Sequence, residues 1–156
     1  MPAPKKIFPL GVVLGKFMPP HHGHRLVIDT ALAQSDRVVL VVCRQADDPI
    51  PADLRVGWLR QLYPPATVRP REVTFPVTDA EAWARGTMQA VGGRPSAVFT
   101  SEEYGHHLAE LLHCTHVLVD RTRRRVPVSA SQIRENPEKY SAYLDPLVYQ
   151  YFIAKK

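Results

Sequence analysis

The run Arg37-Val38-Val39-Leu40-Val41-Val42-Cys43 constrains the fold more than any other segment. An almost continuous β-branched run has no polar face. It suits a strand covered on both sides, as in parallel sheets. Shorter apolar runs repeat along the chain. Gly11–Leu14 reads as a first strand that stops at Gly15, Val68–Phe75 as a weaker third, Ala97–Thr100 as a fourth and His116–Asp120 as a fifth. Helical segments separate them. They are His24–Gln34, about Pro51–Tyr63 with Leu54, Trp58, Leu59 and Leu62 on one face, an Asp79-capped segment to Val91, and Ser101–Leu112. This alternation predicts an α/β fold: a Rossmann-like parallel sheet of about five strands with helices on both faces. Residues 1–156 read as one domain, with a C-terminal helical segment from about 130.

Composition narrows the class without choosing a function. Lys and Arg number 20 against 15 Asp and Glu, a net +5, which favours anionic partners. Nucleic acid, a membrane surface and phosphorylated small molecules all qualify. No apolar run approaches the ~20 residues of a membrane span. The first ten residues are too poor in apolar side chains for a secretory signal. Cys43 and Cys114, the only cysteines, both adjoin apolar segments. They read as reduced, buried thiols, and the expected location is cytoplasmic.

Ligands of open parallel sheets bind at the carboxyl ends of the strands. That rule points at Gly15-Lys16-Phe17-Met18-Pro19-Pro20-His21-His22-Gly23-His24, which follows the first strand. Gly15 permits a sharp exit, and Gly23 lets backbone approach a ligand where the helix begins. The first N–H groups of that helix favour an anion. His21 and His24, three apart, would lie on one side of its first turn, and Lys16 adds positive charge. A proline-rich turn with solvent-facing histidines is the competing reading. Neither a Walker loop nor a Gly-x-Gly-x-x-Gly fingerprint occurs.

The segment resembles the nucleotidyltransferase superfamily that carries a His-x-Gly-His loop. Gly15, Phe17, Pro19, His21, Gly23 and His24 match Gly-x-Phe-x-Pro-x-His-x-Gly-His at each defining position. The superfamily's second motif, Ser-x-Thr/Ser-x-x-Arg, is matched by Ser129-Ala130-Ser131-Gln132-Ile133-Arg134. Ser129 or Ser131 can cap a helix, and Arg134 can reach a triphosphate. The wording Val126-Pro127-Val128-Ser129 and Ile133–Pro137 is similar to bacterial nicotinamide mononucleotide adenylyltransferase domains fused to a ribosylnicotinamide kinase. The resemblance covers nearly the whole chain. It implies a stand-alone transferase, without the DNA-binding segment or kinase domain of the fused forms.

Two further residues take roles only from this resemblance. Trp83 would stack on the nicotinamide ring, with a core tryptophan as the alternative. Arg55 would bind the acceptor phosphate, with a surface arginine as the alternative. Trp58 reads as core, and Asp47-Asp48-Pro49 as ordinary loop chemistry rather than a metal site. The cluster Arg121-x-Arg123-Arg124-Arg125 is expected mostly in solvent, with one arginine over the triphosphate. His106, His107, His113 and His116 fit no zinc spacing.

The implied activity transfers AMP from ATP to nicotinamide mononucleotide, giving NAD and pyrophosphate. The acceptor phosphate attacks the α-phosphorus in line. His21, His24, Lys16 and Arg134 are the expected catalytic residues. Gly15, Phe17, Gly23, His24, Ser129, Ser131 and Arg134 would bind ATP, Arg55 and Trp83 the acceptor. Mg²⁺ is expected with ATP and no metal on the protein. The partners are ATP and nicotinamide mononucleotide, with no nucleic acid and no membrane; a homo-oligomer stays open. Other readings are transfer to nicotinate mononucleotide, phosphopantetheine or FMN, cytidylyl transfer, and a non-catalytic nucleotide-sensing module.

Overall fold

A computed structural model describes residues 6–74 and 78–155. Five strands form one parallel sheet: β1 (Phe8–Gly15), β2 (Ser35–Arg44), β3 (Thr67–Glu72), β4 (Ala97–Thr100) and β5 (Thr115–Leu118). Their spatial order is β3-β2-β1-β4-β5. The connecting helices are α1 (His22–Gln34), α2 (Ala52–Leu62), α3 (Ala80–Val91) and α4 (Tyr104–Leu112). Beyond β5 come α5 (Ala130–Glu135), a 3₁₀ turn at Ser141–Tyr143, and α6 (Pro146–Ala154). The fold is Rossmann-like, as the alternating runs predict.

Strand alternation sorts the core into two faces. Val13, Val38, Leu40, Val42 and Phe99 pack on Val27, Ile28 and Ala31 of α1 and on Val56 and Leu59 of α2. Val12, Leu14, Val39, Val41, Cys43 and Val98 pack on Ala84 and Val91 of α3 and on Leu108 and Leu112 of α4. The β-branched run of β2 feeds both sets, which is why it shows no polar face. A third cluster joins Met18, Ile50 and Trp58 to Val128, Ile133, Leu144 and Val148. It fastens the C-terminal helices under the loop that follows β1, and it confirms Trp58 as core.

Element ends shift from the sequence expectation for local reasons. The first strand begins earlier, at Phe8, because β2 alone flanks it there; pairing with β4 starts at Gly11, so Pro9 disturbs only one ladder. α4 starts at Tyr104 rather than Ser101. Thr100 Oγ1 donates to Glu102 O and accepts from Glu102 N–H, which holds a turn before the helix. The third strand ends at Glu72; its expected last residue, Phe75, lies outside the described residues. Cys43 is buried and Cys114 half-buried, and both are free thiols.

Candidate active site

The sheet order reverses at β1, which lies between β2 and β4. Such a switch point opens a crevice at the carboxyl ends of the two strands beside it. The crevice is present. A cavity of about 520 Å³ is lined by the end of β1 and its exit, Val13–Phe17, and by Phe99–Glu102 after β4. That volume is ordinary for a small-molecule site. His24, Cys43, Trp83 and Tyr104 complete its mostly apolar wall. A second, more polar cavity of about 230 Å³ lies beside it, lined by His21, Gly23, His24, Arg123, Ser129 and Ser131 among others. His24, Ser101 and Glu102 line both.

The start of α1 explains why two histidines flank one glycine. His21 is the N-cap, and its Nδ1 accepts the Gly23 N–H at 2.9 Å. His24 Nδ1 accepts the His21 N–H at 3.1 Å. Two orphan donors of the helix start are thus satisfied by imidazoles in place of the usual hydroxyl and carboxamide. The rings lie 3.9 Å apart between centroids. A Cβ on Gly23 would meet His21 Cε1 at 2.6 Å and Nδ1 at 2.9 Å. Gly23 is therefore needed to seat the His21 ring, a reason separate from ligand approach.

Both imidazoles stay neutral. Burial, then the charges of Arg123 and His22, hold the His21 pKa down to about 4. Burial, His21 and Arg123 put that of His24 well below its ordinary value. With each Nδ1 accepting, each ring carries its proton on Nε2. Positive charge at the site must then come from cationic side chains. Phe17, at φ 50°, turns the chain after β1, and its ring lies 4.9 Å from that of His24.

Lys16 lines the apolar cavity, and its Nζ lies 3.0 Å from Gln45 Oε1 and 3.4 Å from Asp48 Oδ1. Asp48 connects it to Arg55. Burial pushes the Asp48 carboxyl up, but the Gln45 N–H, Arg55 and Lys16 outweigh that and lower its pKa.

Arg55 corrects a sequence expectation. An arginine that holds an acceptor phosphate should face the crevice, yet Arg55 has no exposed surface. Its guanidinium donates to Lys16 O at 2.6 Å, Ile50 O at 3.0 Å, Cys43 O at 3.1 Å and Asp48 Oδ2 at 2.8 Å. Its partners are the chain's own carbonyls and carboxylate, so it braces the β1 and β2 exits.

The second motif forms α5. Ser129 Oγ accepts the Gln132 N–H at 3.2 Å, and Gln132 Oε1 accepts the Ser129 N–H at 2.9 Å. This is a capping box, so part of the expected phosphate-binding backbone is already engaged. Arg134 donates to Met18 O at 2.5 Å and lies 3.4 Å from Ser131 Oγ. It ties the second motif to the first across 116 positions of sequence.

Trp83 is half-buried on the cavity wall, its ring 5.9 Å from that of Tyr104. Its carbonyl accepts from Thr87 Oγ1 at 2.8 Å, which in turn accepts from Arg71 at 2.8 Å. Sequence reading missed Ser101, Glu102 and Tyr104. Their signal was position, since they follow the strand that neighbours β1. Among the described residues no group of three or more His, Cys, Asp or Glu is arranged to hold a metal ion. No helix among them is long and apolar enough to cross a membrane.

Comparison with known proteins agrees with this fold. The family model described as cytidylyltransferase-like matches residues 12–136. The trifunctional NAD biosynthesis/regulator protein NadR of Salmonella typhimurium is 30% identical over 173 residues, covering 96% of this chain and 42% of the relative. The chain thus spans less than half the length of that curated relative. A crystal structure of NadR protein in complex with NAD and AMP-PNP superimposes with a TM-score of 0.67 at 22% identity, over 92% of this chain and 47% of that one. A bifunctional NMN adenylyltransferase/ADP ribose pyrophosphatase from Francisella tularensis, complexed with AMP and a manganese ion, does so at 0.63 and 17% identity, over 91% of this chain and 44% of that one. At those identities the two structures speak for the fold alone.

Proposed function

The chain belongs to the cytidylyltransferase-like family of nucleotidyltransferases, and from that premise we propose that it transfers AMP from ATP to nicotinamide mononucleotide, giving NAD and pyrophosphate, as a cytoplasmic enzyme of NAD biosynthesis. One observation carries the reading. His24 stands where an apolar cavity walled by Trp83 meets a polar cavity that holds Arg123, Ser129 and Ser131. An aromatic acceptor on one side and a triphosphate on the other would meet at that imidazole. The relationship to NadR, whose name records NAD biosynthesis, supports this choice of acceptor.

The chemistry asks little of the protein beyond placement. The acceptor phosphate is already ionised, so no strong base is needed. Its oxygen attacks the α-phosphorus, the bond to the bridging oxygen breaks, and pyrophosphate leaves with the electron pair. Neutral His21 and His24 donate Nε2–H hydrogen bonds as charge builds on the transferring group. Lys16 supplies a cation beside the acceptor cavity. Arg134 holds Met18 O and so the loop that presents the histidines, and beside Ser131 it is the second motif's arginine for the triphosphate. Mg²⁺ would enter with the nucleotide, as MgATP.

The test is pyrophosphate release from MgATP with each acceptor in turn: nicotinamide mononucleotide, nicotinate mononucleotide, phosphopantetheine and FMN, with CTP replacing ATP in a parallel series. Release with nicotinamide mononucleotide, abolished by EDTA, is expected. Release only with phosphopantetheine or FMN, or only from CTP, would overturn the assignment. ATP binding without release under any condition would favour a nucleotide-sensing module.

A further inference from the structure

Four arginines crowd residues 121–125, and the structure separates them. Arg121 pairs with Glu103 at 2.6 Å, and its side chain and those of Arg124 and Arg125 do not line either cavity. Arg123 alone among them faces the polar cavity, with His21, His24, Ser129 and Ser131. The loop is shaped to put it there. Asp120 and Arg123 both lie at positive φ, 50° and 55°, where non-glycine residues are uncommon. The Asp120 carboxylate accepts the N–H groups of Arg125 and Val126, and the Arg123 N–H donates to Asp120 O at 2.9 Å. Such a turn is held by its surroundings, and backbone of this kind concentrates at ligand sites.

The Arg123 guanidinium is half anchored. One nitrogen donates to Val128 O at 2.8 Å, while the other lies 3.6 Å from Glu102 Oε1, beyond hydrogen-bond length. Glu102 is itself more than half exposed and lines both cavities. A fork held firmly by one nitrogen and loosely by the other is ready to turn that second nitrogen to a better anion.

We propose that Arg123 is a further triphosphate-binding arginine beside Arg134, which grips a phosphate oxygen of the incoming nucleotide by giving up Glu102. The assignment rests on the adenylyltransferase reading of the site. Its charge already reaches both histidines and helps keep them neutral, so it sits close enough to act on the same phosphates. Val128 O keeps the guanidinium oriented in the free protein, and Glu102 is the weak partner it leaves for the nucleotide.

Calorimetric titration of the full chain with MgATP, and separately with pyrophosphate, tests this in the wild type, Arg123→Gln, Arg123→Lys, Glu102→Gln, and Arg121→Gln as control. Loss of one charge-assisted bond predicts ATP affinity about 10- to 100-fold weaker in Arg123→Gln. Arg123→Lys should fall between, the acceptor KM should stay put, and Arg121→Gln should bind as wild type. Glu102→Gln removes a competing anion, so ATP should bind it at least as tightly as wild type. If Arg123→Gln binds ATP within about twofold of wild type, the assignment falls while the adenylyltransferase reading stands. Should Arg123→Gln fail to fold, wild-type ATP affinity in Arg123→Lys or clearly weaker binding in Glu102→Gln would overturn it. A wild-type chain that binds neither ATP nor pyrophosphate would sink both.

Discussion

His24 Nδ1 accepts the backbone N–H of His21 at 3.1 Å, and the two ring centroids lie 3.9 Å apart with the planes tilted by 36°. One imidazole therefore does two jobs: it closes the first turn of α1 and it leaves an Nε2–H for the cavities. His24→Ala removes both. The barrier should rise by ~3–4 kcal/mol, as for other anion-stabilising donors. Stability should fall by only ~1 kcal/mol, the usual cost of a lost cap. Single-turnover rates beside urea midpoints would separate the two. Near-normal turnover in a folded variant would remove His24 from the chemistry.

Neutral buried histidines also set a pH dependence. His21 is held near 4, against about 6.5 in an unfolded chain. Above 6.5 both states are neutral and the full stability is present. As pH falls from 6.5 toward 4, the unfolded chain takes up a proton that native His21 refuses, so unfolding free energy drops. Below about 4 the His21 contribution is spent. That span corresponds to roughly 3 kcal/mol, and His24 adds in the same direction. Urea midpoints measured from pH 7.5 to 4.5 should fall, and the slope should flatten in His21→Asn, which keeps a capping side chain. A wild-type profile without slope through this window would contradict the burial of both rings.

Gly23→Ala tests the seating of His21. The new methyl meets the His21 ring at 2.6 Å, so the ring must leave its capping position. Activity should fall by at least tenfold, about 1.4 kcal/mol in the barrier, with a comparable loss of stability. An active Gly23→Ala enzyme would show that the ring can relocate without harm.

Much of this was legible in the chain. The runs of β1, β2 and β4 give themselves away because the sheet buries them on both faces, and the spacing of His21, Gly23 and His24 follows from one helix turn. Arg55 was not legible. Its partners, Lys16 O, Cys43 O, Ile50 O and Asp48, come from three stretches of chain that only the carboxyl end of the folded sheet unites. An arginine on a helix reads as surface or ligand-binding until those carbonyls are seen around it. Arg123 was hidden differently: four arginines share one segment, and the folded turn, with positive φ at Asp120 and Arg123 and the Asp120 and Val128 bonds, puts Arg123 at the polar cavity.

Trp83 lines the apolar cavity and is half-buried. If its ring stacks on the acceptor base, Trp83→Ala should weaken acceptor binding by ~1–3 kcal/mol and leave the ATP KM near normal. Arg71→Ala, which removes the donor to Thr87 behind Trp83, should give a smaller shift of the same kind. Equal effects on both substrates, together with lost stability, would return Trp83 to the core.

The sharpest test of the geometry is Arg55. If it held the acceptor phosphate, Arg55→Met would raise the acceptor KM in a protein of normal stability. The structure requires something else. Removing the guanidinium leaves the Asp48 carboxylate with only the Gln45 N–H and the longer Lys16 contact, and strips donors from three carbonyls. Breaking a buried ion pair from one side costs ~3–5 kcal/mol, a large share of a native stability of about 5–15 kcal/mol. For a chain of this length, that shifts Tm by roughly 10 °C. Asp48→Leu in the Arg55→Met background removes the under-compensated charge, so the double variant should regain part of the loss, which a binding role would not produce. Because Arg55 also holds Lys16 O, whatever activity survives should show impaired handling of both substrates. An unchanged melting temperature with a defect confined to the acceptor would restore Arg55 to the binding site and refute the brace.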